Sequence, residues 1–298
     1  MELLFLSALG SVMLTPLSMR LAHGLGAVDI PDGTRKRHAV PTPRLGGLAL
    51  FLTVFVGSLL FLPQTPLRDT WLTGGALLCA LGISDDIFSL SAPTKLLAEA
   101  AIATLPIAFG LAPRVFTLGA LTWDIPHPLA NALCLLWVLL LTNAFNLIDG
   151  IDTLCATQVL LSSAFFALFG NKESALLCGA VSGFLPYNRP ADVLPMRRVR
   201  TRSFLGDTGA LFLGFSLAVF SFGTNAAFPL FLPLLFAVPL FDCLFAFIRR
   251  AVQGKNPFSA DNGHIHHLLL KRTHSAPKTV ALLSLFSIAA IFCFLLTL

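Results

Sequence analysis

The sequence predicts an all-α protein, a polytopic bundle of about ten membrane-spanning helices forming one domain over residues 1–298. Three observations carry this. Only 12% of residues are charged while 56% are hydrophobic, where a soluble domain has about 25% charged residues. Mean hydropathy is +0.82, more apolar surface than a chain of this size can hide from water, because roughly a quarter of the unfolded surface stays exposed on folding. Finally, the basic residues fall in short gaps between apolar runs. That is a pattern of anchoring at a membrane, so the net charge of +5 does not point to a nucleic-acid partner.

A helix needs about 20 apolar residues to cross the hydrocarbon core. That ruler gives spans at 3–19, 46–62, 71–88, 95–112, 129–147, 153–169, 174–188, 207–223, 228–248 and 278–297. The first is read as retained. Glu2 stands where a cleavable signal would be positive, and Arg20 follows the apolar stretch. Pro186 and Asn188 cut the seventh short. Between spans, residues 113–128 read as a short external hairpin around Gly119. The six cysteines lie in or beside apolar runs with no C-x-x-C pair, as small buried side chains do. No internal repeat is visible.

Orientation follows from the bases. Of the 20 lysines and arginines, 17 fall in the odd-numbered gaps, leaving Arg68, Arg114 and Lys172 for the even ones. The positive-inside rule puts the odd gaps in the cytoplasm and both termini outside. Asp29, Asp32, Asp85, Asp86, Asp149, Asp152, Asp192, Asp207 and Asp261 gather on that same side, with His38, His264, His266, His267 and His274. The rule selects for bases, not for acids or histidines, so this cluster marks a functional surface.

Asp85 and Asp86 close the third span in Gly82-Ile83-Ser84-Asp85-Asp86. Adjacent acids at a membrane boundary need a cation, a proton or water, and Mg2+ is commonly held by carboxylates together with substrate phosphates. A solvated helix end is the plainer alternative. Lys95 follows closely and offers an ammonium to a phosphate. At the end of the fifth span, spacings of three set Asn143, Asn146 and Asp149 on one face until Gly150 breaks the turn, with Asp152 beyond. Such a stripe of oxygens suits a metal or a polyhydroxyl ligand. The segment Phe204-Leu205-Gly206-Asp207-Thr208-Gly209 opens the eighth span. Gly206 and Gly209 would admit a ligand to the backbone, and the helix N-terminus offers N–H groups to an anion. Asp207 would hold a divalent ion there, or simply cap the helix.

The ninth gap carries three histidines in Asp261-Asn262-Gly263-His264-Ile265-His266-His267. Zinc is one reading. With no cysteine near and hard oxygen donors elsewhere, magnesium or manganese fits better, and the histidines would bind phosphate. Residues 29–47 add Arg37, His38 and Arg44, as topology signal or as substrate contacts. Asp242, inside the ninth span, is expected to face inward and support the site from behind.

In order and wording these stretches resemble the polyprenyl-phosphate N-acetylhexosamine-1-phosphate transferases. The matching segments are DIPDGTRKRHAVPTPRLGG (29–47), GISDDIFSLSAPTKLLAE (82–99), NAFNLIDGIDTL (143–154), FLGDTG (204–209) and PFSADNGHIHHLLLKR (257–272). The resemblance covers nearly the whole chain. It implies transfer of a sugar-1-phosphate from a UDP-sugar to a polyprenyl phosphate with release of UMP, requiring Mg2+ or Mn2+. The run His264-Ile265-His266-His267 looks like the branch using UDP-N-acetylglucosamine. Relatives using UDP-MurNAc-pentapeptide carry a different histidine run. Thr153 stands where the family commonly has a second glycine, and Ala210 where a serine is frequent.

The resemblance places Asp207 and Asn146 on the metal, with Lys95, His264, His266 and His267 on phosphate oxygens and Asp149 and Asp152 positioning the donor or metal. Asp85 and Asp86 would lie near the acceptor, and Arg37, His38, Arg44, Asn143, Gly150, Gly206 and Gly209 would line the substrate. The partners are then a UDP-sugar, a lipid phosphate and membrane lipid, in the cytoplasmic membrane of a bacterium; a homodimer is compatible. Another UDP-sugar, such as UDP-MurNAc-pentapeptide or a UDP-6-deoxy-N-acetylhexosamine, stays open as donor. A transporter of ions or nucleotide sugars is the alternative of a different class. It would put ionisable residues at the midplane and on both sides, whereas Glu99 and Asp242 are the only acids well inside spans.

Overall fold

The computed structural model describes residues 1–30, 41–190, 202–223, 227–255 and 263–297. Asp32, Arg37, His38, Asp192 and Asp261 lie outside the described residues. The elements in order are α1 (Glu2–Leu25), β1 (Val28–Asp29), β2 (Thr42–Pro43), α2 (Gly46–Phe61), α3 (Pro66–Phe88), α4 (Ala92–Ile102) and α5 (Leu105–Ala108). Then come β3 (Val115–Leu118), β4 (Leu121–Asp124), α6 (His127–Ile148), α7 (Leu154–Leu168), α8 (Lys172–Phe184) and α9 (Gly206–Phe220). Last are β5 (Ala227–Pro229), α10 (Ala237–Val252), α11 (Ile265–Thr273) and α12 (Ala276–Leu295). Among the described residues, five stretches are long and apolar enough to cross a membrane: Glu2–Leu25, Pro66–Phe88, His127–Ile148, Leu232–Val252 and Ala276–Leu295. Three further apolar helices, α2, α7 and α9, are shorter. The architecture is that of a polytopic helical membrane protein.

Burial on α1 is inverted relative to a soluble helix. Ser7, Ser11, Thr15, Ser18 and Ala22 face inward, while Phe5 and Met13 are exposed. Small hydroxyl residues let backbones approach, and their O–H groups can be satisfied on their own helix. Ser7 Oγ donates to Leu3 O at 2.8 Å, and Thr15 Oγ1 to Ser11 O at 2.7 Å. Gly179 and Gly183 of α8 meet Leu4 and Ala8 of α1 with no room for a side chain. At the centre stands α9, where every residue from Thr208 to Phe220 is buried. A helix apolar all round must be surrounded by other helices. Trp71 of α3 donates to Ser216 Oγ at 2.8 Å, fixing the two helices in register.

Two of the expected spans need correction. The expected 95–112 helix is two pieces, α4 and α5, because Pro106 lacks an N–H and its ring clashes with the turn before it. The expected 228–248 helix begins as β5 and a 3-10 turn at Leu232–Phe236, and then continues to Val252. The hairpin at 113–128 forms, pairing Phe116 with Trp123 and turning at Gly119 with φ 56°. β5 joins it parallel to β3, pairing Phe228 with Phe116. The run Val115-Phe116-Thr117 is rich in β-formers, but a partner more than a hundred residues away is not legible from local pattern.

Candidate active site

The site is built where α3 ends, α6 ends, and α9 and α11 begin. α3 can touch the first turn of α9 because position 82 is glycine, and a Cβ there would collide with the Thr208 backbone. One turn later on the same face, Asp86 lies under the start of α9. Its Oδ1 accepts from the Asp207 N–H at 3.2 Å. Its Oδ2 accepts from the Thr208 N–H at 3.2 Å and the Thr208 hydroxyl at 2.9 Å. No side chain of α9 itself caps that helix. The N–H groups expected to receive a ligand anion are thus taken by Asp86, which supplies the negative charge a helix start favours. Gly206, at φ 70°, is wedged between the Arg44 carbonyl and Asp86, and Gly209 packs on Gly47 of α2. At both glycines the close approach is made by protein backbone.

Lys95 reaches back from the first turn of α4. α3 stops at Ser89 in the left-handed region, the Leu90 N–H donates to Asp85 Oδ1 at 2.7 Å, and Ser91 caps α4. This tight reversal brings Lys95 Nζ to 2.9 Å from Asp85 Oδ2 and into an ion pair with Asp207. Both flanking carboxylates are partly accessible.

On α6, Asn143 turns its amide to Glu99 Oε2 at 2.6 Å and to the Leu139 carbonyl at 3.0 Å. Neither Asn146 nor Asp149 makes a side-chain hydrogen bond among the described residues. Burial, then the carboxylates of Asp207, Asp152 and Asp86, push the Asp149 carboxyl well above the ordinary carboxylate range. Asp152 pairs with buried Arg202, and Arg44 pairs with Asp29. Among the described residues Lys95 is the one cation paired with the set of Asp85, Asp86, Asp149 and Asp207, which therefore holds more carboxyl groups than positive charge. Asp207, Asp149 and Asn146 are hard oxygen donors of the kind Mg2+ and Mn2+ take, so the residues fit a divalent cation.

The histidine motif closes over the turn after α6. A Cβ on Gly150 would stand 2.8 Å from His266 Nε2 and 3.0 Å from His267 Cε1. Asp242 of α10 holds the motif. Its Oδ2 accepts from His264 Nδ1 at 2.7 Å and its Oδ1 from the His266 backbone N–H at 3.0 Å. Arg250 Nη2 lies 3.1 Å from His264 Nε2. Burial and the neighbouring histidines push the His267 imidazole down to about 4.

The structure therefore joins Asp85, Asp86, Lys95 and Asp207 in one set. It joins Gly150, His266 and His267 in another, with Asp149 in the field of the first. It ties Asn143, Asp152, Arg44 and His264 to protein partners. Sequence reasoning missed Thr208, Arg202 and Arg250 as members. Thr208 sits inside a quoted motif and was available to be found. The two arginines were hidden by the topological bias that explains bases in cytoplasmic gaps.

The glycosyl transferase family 4 profile matches residues 70–225. A Bacillus subtilis protein named "Probable undecaprenyl-phosphate N-acetylglucosaminyl 1-phosphate transferase" is 38% identical, over 96% of this chain and 82% of that relative. An "Undecaprenyl-phosphate alpha-N-acetylglucosaminyl 1-phosphate transferase" of Thermotoga maritima is 31% identical, over 94% of this chain and 85% of its own. One of the same name from Escherichia coli is 28% identical, over 89% and 75%. The profile runs from α3 to just beyond α9 and so takes in the joined carboxylates, and the chain belongs to glycosyl transferase family 4.

Proposed function

We propose that the protein transfers N-acetylglucosamine-1-phosphate from UDP-GlcNAc to undecaprenyl phosphate, releasing UMP, at the cytoplasmic face of a bacterial membrane. The observation that supports it best is the carboxylate set bridged by Lys95 at the end of the helices, where a lipid phosphate and a soluble nucleotide can meet. The named activities of the relatives agree. The 17-to-3 bias of the bases favours about ten crossings with this end in the cytoplasm.

In the reaction an oxygen of the acceptor phosphate bonds to the β-phosphorus of UDP-GlcNAc. The bond from that phosphorus to the bridging oxygen breaks, and UMP leaves with the oxygen. A phosphomonoester has its second pKa near about 6 and is mostly dianionic at neutral pH, so it needs no general base. Asp207 and Asn146 would hold a Mg2+ or Mn2+ ion, whose contribution is to offset charge on the pyrophosphate. Lys95 offers a second positive charge to phosphate oxygens and Asp149 lies beside the set. His266 and His267 lie at the Gly150 turn, where donor phosphate would pass. Direct attack is favoured over a phosphosugar on Asp85 or Asp86, because both Asp86 oxygens are engaged by α9 and both Asp85 oxygens by Leu90 and Lys95.

The test is UMP release by purified protein with undecaprenyl phosphate, Mg2+ and a panel of UDP-sugars. Turnover is expected with UDP-GlcNAc. Absence of UMP with every sugar overturns the reaction, and turnover with UDP-MurNAc-pentapeptide alone overturns the donor. Label retained on the protein without acceptor overturns direct attack.

A further inference from the structure

We infer that Asp242 and Arg250 lock His264 as a positioning residue, leaving His266 Nε2 as the histidine nitrogen presented to substrate. Sequence alone gives His264, His266 and His267 one shared role. The geometry separates the first two.

A guanidinium has donors and no acceptor. With Arg250 Nη2 at 3.1 Å, His264 Nε2 must therefore accept. The ring proton then lies on Nδ1 and is donated to Asp242 Oδ2 at 2.7 Å. Both nitrogens of His264 are spent inside the protein, and the ring is buried. It has no atom left for a phosphate oxygen. Asp242 and Arg250 stand two turns apart on one face of α10, so a single rigid helix grips the imidazole at both ends.

His266 is placed differently. Its backbone N–H is held by Asp242 Oδ1, and its Nδ1 lies 3.0 Å from the same oxygen. Neither ring nitrogen makes a hydrogen bond although the residue is only 1% exposed, and because Nδ1 already lies against the Asp242 carboxylate, Nε2 is the nitrogen turned away from it. That atom lies against Gly150, the residue after Asp149, where the missing side chain lets the ring approach the backbone; a Cβ there would stand 2.8 Å from it. An orphan buried nitrogen beside the carboxylate stripe is the atom an incoming phosphate oxygen would meet.

Asp242, His264 and His266 also bring ligand atoms within 4.8 Å of one another, as a metal centre would. Two features oppose that use. The Arg250 cation sits on the same ring. The 2.7 Å separation of His264 Nδ1 and Asp242 Oδ2 is a hydrogen bond, shorter than the spacing of roughly 3 Å or more between ligands that each bind zinc at about 2 Å.

The substrate half of this inference rests on the transferase reading above; the lock does not. The experiment has two arms, both on the full chain in lipid nanodiscs. In the first, 15N-histidine spectra of wild type are compared with those of His264→Gln to identify the His264 signal. A single Nδ1–H tautomer is expected, and Asp242→Asn should remove it. An Nε2–H ring at His264 in wild type, or stoichiometric zinc that Asp242→Asn releases, overturns the lock even if every variant is inactive. In the second arm, His264→Gln keeps a donor for Asp242 and an acceptor for Arg250, so turnover should stay within about threefold of wild type. Asp242→Asn should lower kcat about 10- to 100-fold with KM little changed. His266→Gln should cost more than about a hundredfold. Equal damage from His264→Gln and His266→Gln overturns the division of roles. A wild type that turns over no UDP-sugar overturns the functional reading instead, and the spectra still judge the lock.

Discussion

The starts of α9 and α11 are built alike and charged differently. Neither helix caps itself with a side chain. In each, an aspartate from a neighbouring helix reaches the free N–H groups: Asp86 of α3 under α9, and Asp242 of α10 under α11. Beyond the cap they diverge. Around Asp86 stand Asp85, Asp149 and Asp207 with Lys95 between two of them. Around Asp242 stand imidazoles and Arg250, and the cluster is closed from solvent. A neutralised, buried network rigidifies a structure. A partly open network with surplus negative charge suits a cation. In the proposed reading the α9 start receives a cation, while the α11 start is scaffold except for the one nitrogen, His266 Nε2, that it presents, although both use the same cap.

The comparison is broken or sharpened most strongly at Asp207. Asp207→Asn should lower UMP release by about a thousandfold while leaving thermal unfolding in detergent unchanged or raised, since it takes one charge from a crowded set. A marked fall in melting temperature would mean that the set is not overcharged. Next is Asp86→Ala, which strands the Asp207 and Thr208 N–H groups and should cost about 1–3 kcal/mol by chemical denaturation. No loss of stability would show that the cross-helix cap is decorative.

A third helix start gives a smaller effect of opposite sign. Thr153 begins α7 at φ 65°, a conformation costing a β-branched residue about 1–2 kcal/mol. Thr153→Gly should therefore stabilise by roughly 0.5–1 kcal/mol after the extra backbone entropy of glycine, read as a rise in denaturation midpoint. The last effect, at His267, is read against pH. Its folded-state value of about 4 lies below the ordinary 6.5. Its contribution to stability is therefore present above 6.5 and lost as pH falls toward 4. Wild type should lose more melting temperature over that window than His267→Asn, and parallel curves would contradict the shift.

Much of this was legible beforehand. Apolar length marked each described long helix, because lipid demands it. The motif glycines and acids marked the segments that the structure gathers where α3 and α6 end and α9 begins. What local pattern misread were roles. Gly206 and Gly209 announced close approach, but the approaching group is backbone from 44–47. Asn143 looked like a ligand and spends its amide on Glu99. Thr153, where the resemblance implies a glycine, needed the dihedral angle to show why glycine would suit the position.

The sequence by itself determined the solvent and the neighbourhood of the chemistry. Hydropathy and charge placement act through transfer free energies that belong to residue types and their spacing. Only the tertiary structure decided which polar atoms remain available. Hydrogen-bond capacity is spent between residues far apart in the chain, as Asp86 on Thr208 and Asp242 on His264. A lone pair or N–H already spent on protein is not available to substrate.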